Sequence, residues 1–263
     1  MNALEQEIVS LIDQAPSTPE AERIRYRDRT IAVVMASWNE EGKVAPCVQA
    51  VPRGIVDTVC VVDDASTDAT AQEGRDAGAV VISHPRNLGA GAGYRTGYHY
   101  AKRHGFDIVV ELAGDNQDDP NDIQRVVDHL IDEELDYVQG SRYAKGGQQI
   151  NMTRSRQGLT RIYSWLFNRM YRAKISDATN GFRAFYTRVL DDPKIQLFQS
   201  WLNRYELEPY LLVKVHQLGY KVGEAPVRKI YHDDMSANTK MVPFKSWYSI
   251  IRPLFLLRFG VRA

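Results

Sequence analysis

Four short apolar runs, at residues 31–35, 58–62, 79–82 and 107–112, punctuate the first half of this chain. Each is rich in Val or Ile, of strand length and without polar alternation, the pattern of strands covered on both faces. Helical stretches are expected between and after them: one following Asn39-Glu40-Glu41-Gly42, then residues 69–77, 93–104 and 123–134. Thr67 or Asp68 stands where a cap for the second of these belongs. Such short-spaced alternation predicts an α/β architecture, a mostly parallel, doubly wound central sheet flanked by helices, with right-handed crossovers.

The second half is less regular. A short strand at 137–139 leads into Gly140-Ser141-Arg142-Tyr143, and Gly146-Gly147 marks a turn. Leu159, Ile162, Tyr163, Leu166, Phe167 and Met170 share helical spacing, which predicts a long amphipathic helix over 158–171. A strand at 182–186, a helix at 206–218 ended by Gly219, and a strand at 221–226 complete the pattern. Ahead of it all, Leu4, Ile8, Leu11 and Ile12 form one helical stripe before Pro16, and residues 16–29 serve as a connector.

Composition narrows the classes. At 263 residues the chain can bury a substantial core, as one large α/β domain or two joined halves. Its 33 basic and 33 acidic residues balance, so no nucleic-acid partner is expected. Cys47 and Cys60 lie in apolar surroundings and are expected as buried thiols rather than disulfide partners or zinc ligands. His84, His99, His104, His129, His216 and His232 are scattered, and are expected on the surface or in packing. Residues 1–29 are too polar for a signal peptide and no run has the length of a membrane span. The expectation is a cytoplasmic protein, soluble or attached peripherally at the inner face of the membrane.

Ligands of a parallel sheet bind beyond the carboxyl ends of its strands. Three polar segments fall there: Trp38-Asn39-Glu40, Asp63-Asp64, and Asp115-Asn116-Gln117. Each alone fits an ordinary capped turn. Three on one rim favour a nucleotide site in which a divalent cation is held against phosphates. Gly89, Gly91 and Gly93 lack the Gly-x-Gly-x-x-Gly spacing and follow the third strand, so they are expected to allow close backbone packing against a ligand or helix. A Walker loop, a Gly-x-Ser-x-Gly elbow and a Cys/His nucleophile pair are all missing from the sequence.

Taken together, these segments resemble the inverting, family-two glycosyltransferases, nearest in look to the dolichyl- and polyprenyl-phosphate sugar synthases. Ala36-Ser37-Trp38-Asn39-Glu40-Glu41 is similar to that family's aromatic-Asn-Glu segment, with Ala36 where Pro is usual. Asp63-Asp64-Ala65-Ser66-Thr67-Asp68 and Asn87-Leu88-Gly89-Ala90-Gly91 match two further motifs. Gly140-Ser141-Arg142, Asp177-Ala178-Thr179-Asn180-Gly181-Phe182-Arg183, Tyr205-Glu206-Leu207-Glu208 and Gly223-Glu224-Ala225-Pro226-Val227 extend the likeness over about residues 30–230. The metal segment departs from Asp-x-Asp-x-Gln, because Ala113 stands in place of the first carboxylate.

The resemblance implies a nucleotide-sugar-binding glycosyltransferase fold of the single doubly wound type over residues 30–230. A nucleotide-binding half at 30–117 and an acceptor half at 118–230 would lie between an N-terminal helix and connector (1–29) and a C-terminal amphipathic segment (231–263). It implies hexosyl transfer with inversion from a UDP- or GDP-sugar, as in cell-envelope or glycan biosynthesis. Ala36, Trp38, Glu40, Asp64, Gly91 and Asp115 would bind the donor, and Asp115 and Gln117 would hold Mg2+ or Mn2+. Asp115 and Arg142 are the catalytic candidates, stabilising the leaving diphosphate. Asn180, Arg183 and Arg228 would face the acceptor. A hydroxyl acceptor needs a general base, for which Asp177, Glu206 and Glu208 are candidates; a lipid phosphate is already nucleophilic and needs arginines instead.

A polyprenyl phosphate or membrane-linked glycan is the expected acceptor, with a soluble sugar or small metabolite as the alternative. Residues 247–259 mix aromatics, aliphatics and Arg252 and Arg258, which suits a membrane interface, a docked terminal helix or a subunit contact. The loss of the carboxylate at 113 keeps a non-catalytic nucleotide-sugar-binding protein open as a second class, and a nucleotidyltransferase as a third.

Overall fold

The apolar run expected at 31–35 forms a strand, β1 (Ile31–Ser37), whose alternate residues feed two different cores. Ala32 and Val34 join Tyr98, Val109, Phe185 and Leu211 on one side of the sheet. Ile31, Val33 and Met35 join Val59, Val110, Val127 and Ala184 on the other. A strand sandwiched in this way has no face for polar residues, which is why its sequence lacks alternation.

The computed structural model describes residues 3–231 and 245–261. In chain order, α1 (Ala3–Gln14) precedes β1, and then come α2 (Val44–Ala50), β2 (Thr58–Asp63), α3 (Thr70–Asp76), β3 (Val80–Ser83), α4 (Ala90–Arg103) and β4 (Ile108–Ala113). After α5 (Ile123–Asp132) and β5 (Tyr137–Ser141) the alternation loosens into β6 (Gln148–Ile150), α6 (Arg154–Tyr171), β7 (Arg183–Tyr186), α7 (Leu207–Gln217), β8 (Val222–Pro226), β9 (Arg228–Ile230) and α8 (Lys245–Arg258). Seven strands form one sheet in the order β3-β2-β1-β4-β7-β5-β8. Its pairings are parallel except for β7, which runs antiparallel to both β4 and β5. β6 and β9 pair separately as a short parallel ribbon.

Several boundaries move from their expected places for local reasons. α4 begins at Ala90, three residues before Gly93, and its glycines allow a close approach to the sheet: a Cβ on Gly97 would lie 2.1 Å from Val34 Cγ1. α6 begins at Arg154, ahead of its apolar stripe, where the Thr153 hydroxyl accepts from the Arg156 N–H at 3.4 Å. At the start of α3 it is Asp68 whose carboxylate accepts from the Thr70 N–H, at 3.0 Å.

The C-terminal stretch at 247–259 is a docked helix with one open side. Leu254 and Leu257 are buried in the core, and the Tyr163 and Tyr171 hydroxyls donate to the Ile250 and Leu254 carbonyls. Tyr248, Phe255 and Phe259 remain exposed, as do Leu159, Ile162 and Trp165 on α6. Among the described residues, no helix is long and apolar enough to cross a membrane.

Candidate functional site

Register brings the three polar segments to one edge. Ser37 at the end of β1 pairs with Asp63 of β2, and Ala36 pairs with Ala113 of β4. At each of these strand ends the chain turns through a non-glycine residue of left-handed conformation: Asn39 (φ 51°), Ala65 (φ 59°) and Asn116 (φ 60°). Such turns are costly for a residue with a Cβ and persist only where surrounding bonds fix them. Here the bonds are specific. The Asn39 N–H donates to Ser66 Oγ at 2.9 Å, the Thr67 N–H to Asn39 Oδ1 at 2.9 Å, and the Glu40 N–H to Thr70 Oγ1 at 2.7 Å. Glu40 is itself buried, with Lys43 Nζ 3.0 Å from its carboxylate, while Trp38 is 40% exposed at the lip.

Asp64 has both oxygens committed. Oδ1 lies 2.8 Å from His84 Nδ1 and accepts from the Leu88 N–H at 2.8 Å, while Oδ2 accepts from the Gly89 N–H at 2.7 Å. The opposite nitrogen of His84 is 2.9 Å from Thr96 Oγ1. Asp64 thereby ties the Gly89–Gly91 turn to the end of β2. Nothing in the sequence singled out His84 from the other histidines, since its partners lie 12 and 20 residues away. Past the turn, a Cβ on Gly91 would lie 2.2 Å from the Leu202 carbonyl, so glycine lets residues 202–204 close on the start of α4. The Ala92 N–H donates to the Asn203 carbonyl at 3.1 Å, and Tyr205 is carried close enough to Asp115 and Glu40 to feel their charge.

The third segment is built around two carboxyl groups and one lysine. Gln117 caps Asp115 twice, through its backbone N–H at 3.1 Å and its side-chain amide at 2.6 Å. Desolvation raises the Asp115 pKa; Lys229 opposes the rise and Asp118 adds to it. Lys229 and Asp118 are both buried and form an ion pair of 2.8 Å. Burial pulls the Lys229 pKa down, but Asp118 and Asp115 more than reverse this. The other oxygen of Asp118 accepts from the Ala113 N–H at 3.4 Å. Asp118 therefore lies beside the position where the resemblance puts a missing carboxylate. Glu111 does not: it is fully buried two residues further inside β4, bonded to the Tyr98 hydroxyl and 3.4 Å from Arg183.

On the β5 side, Arg142 and Asp177 form a buried two-point ion pair. Nε to Oδ2 is 2.6 Å and Nη2 to Oδ1 is 2.7 Å, and the Arg142 N–H also reaches Oδ2 at 3.1 Å. Arg142 further donates to the Tyr231 hydroxyl at 2.5 Å and to Thr179 at 2.8 Å. Desolvation alone would lower its pKa, and Asp177 turns the shift upward. Glu224 supports the pair from below, accepting the Ser176 and Asp177 N–H groups at 2.8 and 3.0 Å. Arg183 is buried 3.1 Å from the Tyr137 hydroxyl and 2.9 Å from Glu208. Asn180, also buried, accepts from Arg183 and Gln139 through its carbonyl. Arg228 is the more open arginine, held by Asp119. Glu206, at the start of α7, has one buried oxygen with no hydrogen-bond partner and the other 3.9 Å from Arg252.

No group of three or more His, Cys, Asp or Glu suited to a metal ion occurs among the described residues. The Asp115 carboxylate and the Gln117 amide oxygen are hard donors of the kind Mg2+ and Mn2+ take, but fewer than either ion needs, and both oxygens of Asp118 are already engaged. They fit a cation whose remaining ligands are diphosphate and water oxygens. His232 lies outside the described residues.

A sheet with this rim is the framework of a group transferase. The model of glycosyl transferase family 2 matches residues 32–192, and the chain belongs to that family of glycosyltransferases. It is 28% identical over 249 residues to the UDP-N-acetylglucosamine–dolichyl-phosphate N-acetylglucosaminyltransferase of Methanococcus voltae, covering 85% of this chain and 96% of that protein. It is also 28% identical over 214 residues to the polyprenol monophosphomannose synthase of Mycolicibacterium smegmatis, covering 78% of each. The fold matches that of glucosyl-3-phosphoglycerate synthase from Mycobacterium tuberculosis, solved with Mn2+, UDP and glucosyl-3-phosphoglycerate, with a TM-score of 0.66 at 20% identity over 94% of this chain and 86% of that one.

Proposed function

We propose that this chain transfers a hexosyl group, with inversion, from a UDP- or GDP-sugar to a polyprenyl phosphate or a related membrane-linked acceptor. The observation that carries the acceptor class is the condition of Asp177, the candidate base that stands against Arg142. Both oxygens of Asp177 are held by Arg142, one oxygen of Glu208 is held by Arg183, and one oxygen of Glu206 is buried without a hydrogen-bond partner. A hydroxyl acceptor needs a base with a free lone pair, whereas a phosphate oxygen attacks without one. The names of the two sequence relatives above support the same class.

In this reading Ala36, Trp38 and Glu40 wall the base, and Asp64 shapes the Gly89–Gly91 turn against the nucleoside. A divalent cation at Asp115 and Gln117 would stabilise the charge that develops on the leaving diphosphate. Arg142 adds a fixed positive charge on the opposite side of the rim, with Asp177 setting its orientation. Asn180 and Arg183 support the acceptor side from beneath, and Arg228 borders it. Between residues 137 and 176 the sequence has eight basic residues and no acidic one, and within this span α6 exposes Leu159, Ile162 and Trp165. With the exposed face of α8, this suits contact with an anionic lipid surface.

The test is a panel of UDP- and GDP-sugars, with and without Mn2+, offered to a short polyprenyl phosphate and separately to soluble sugars and phosphorylated metabolites. Transfer to the polyprenyl phosphate is expected. Transfer only to a soluble acceptor overturns the acceptor class. Donor binding with no turnover on any acceptor points instead to a binding protein.

A further inference from the structure

We propose that Lys229 binds the donor diphosphate directly, as a built-in positive charge beside the candidate cation site at Asp115 and Gln117. The inference rests on the nucleotide-sugar reading and goes beyond it by naming a residue no motif pointed to.

Three observations converge. First, the lysine is in the right place. Residues 228–230 run alongside 117–119, with the Ile230 N–H donating to the Gln117 carbonyl at 2.8 Å and the Asp119 N–H to the Arg228 carbonyl at 3.3 Å. This brings the Lys229 ammonium to the loop that carries Asp115, beside the strand end where Ala113 replaces a carboxylate.

Second, the Asp118–Lys229 pair is not needed to fasten these two segments. The two backbone bonds already join them, and so does the neighbouring Arg228–Asp119 pair. A buried ion pair adds little to stability compared with apolar residues of similar volume, so its presence at a ligand rim calls for another use.

Third, the geometry leaves the ammonium capacity to spare. An ammonium has three N–H donors, and Asp118 meets it through Oδ1 alone because Oδ2 is turned to the Ala113 N–H. Asp118 thus anchors the lysine from one side. The lysine's remaining donors are left for a diphosphate, with Asp115 close enough for the two charges to act on each other.

The charge balance follows. With Ala113 in place of an acid and Lys229 neutralising Asp118, this part of the rim presents the diphosphate with a less negative surface before any cation arrives. Nucleoside diphosphate should therefore bind measurably without metal, and the cation should strengthen binding rather than be an absolute condition for it.

The experiment is calorimetric titration of the full chain with UDP and GDP, in EDTA and in Mn2+, with the corresponding monophosphates as controls. The variants are Lys229→Met and the double change Asp118→Asn with Lys229→Met, which removes both charges and leaves no buried carboxylate unpaired if the single variant fails to fold. Wild type should bind a diphosphate in EDTA. The folded variant should lose about tenfold to a hundredfold of that affinity, the worth of a charged hydrogen bond, while its monophosphate affinity stays unchanged. Equal diphosphate affinity in the folded variant overturns the inference. So does wild-type binding that appears only with Mn2+, which leaves the donor reading standing. Failure of wild type to bind either diphosphate in either condition overturns the donor reading and this inference together.

Discussion

Replacing Asp177 by Ala would leave the Arg142 guanidinium buried without its two-point partner. Both side chains of the pair are almost wholly enclosed, at 3% and 0% exposure. Breaking such a pair from one side costs about 3–5 kcal/mol, because the remaining charge stays desolvated. Against a total stability of roughly 5–15 kcal/mol this is a large share. At about 2 °C per kcal/mol for a chain of this size, the midpoint of thermal unfolding should fall by about 6–10 °C. The fall can be followed by circular dichroism. Exchanging both partners for apolar residues, Arg142→Met with Asp177→Leu, should recover most of the loss, since neither charge is then stranded. A role for Asp177 as a proton acceptor predicts the reverse: turnover lost in Asp177→Asn with the melting temperature unmoved. A midpoint for Asp177→Ala within about 2 °C of wild type would refute the reasoning, as it would show the buried cation is satisfied by Tyr231, Thr179 and water.

Other expectations follow from single features. Asp115→Ala should abolish sugar transfer while the unfolding midpoint holds or rises, since it removes a carboxyl whose pKa burial raises; retained turnover would remove Asp115 from the site. His99 is half-buried with its Nε2 enclosed, and desolvation lowers its pKa from 6.5 to about 4. The unfolded chain therefore takes up a proton that the native state refuses, so stability should fall as the pH drops from 6.5 towards 4, by about 3 kcal/mol for this one group. Denaturant titrations over that range should show a shallower fall in His99→Leu, and an unchanged profile would show that His99 is not responsible. Wild-type protein should co-sediment with anionic vesicles, and Ile162→Ser with Trp165→Ser should weaken this without lowering the melting temperature, because both side chains are exposed. Wild type that remains in the supernatant would show that these faces do not meet lipid.

The first half of the sheet was legible because β1, β2 and β4 are buried on both faces and their composition shows it. The position of β7 was not legible. Arg183-Ala184-Phe185-Tyr186 has the look of a strand, but nothing in four residues specifies antiparallel insertion between β4 and β5. β6 and β9 escaped notice because Gln148-Gln149-Ile150 and Arg228-Lys229-Ile230 have no apolar run to mark them. In the site, the rim segments could be placed from their strands. The partners of their side chains could not, since Asp64 meets His84 and Arg142 meets Asp177 across 20 and 35 residues. Of the roles expected for the C-terminal stretch the structure shows docking: Leu254 and Leu257 belong to the core, while Tyr248, Phe255 and Phe259 face outward.

The antiparallel β7 also sets an order of assembly. Strands β3, β2, β1 and β4 come from one continuous stretch and need only short crossovers to find each other. Asp118 and Lys229, by contrast, are 111 residues apart, with β5, β7 and β8 all lying between them in the chain. Contacts of such long range form late, because the intervening chain must lose its freedom first. During synthesis, the nucleotide-facing edge would take shape while the segment that closes it was still to be made. A nascent chain at that stage would hold the carboxylates of its rim without the lysine opposite them, so the edge would reach its final charge only in the finished molecule.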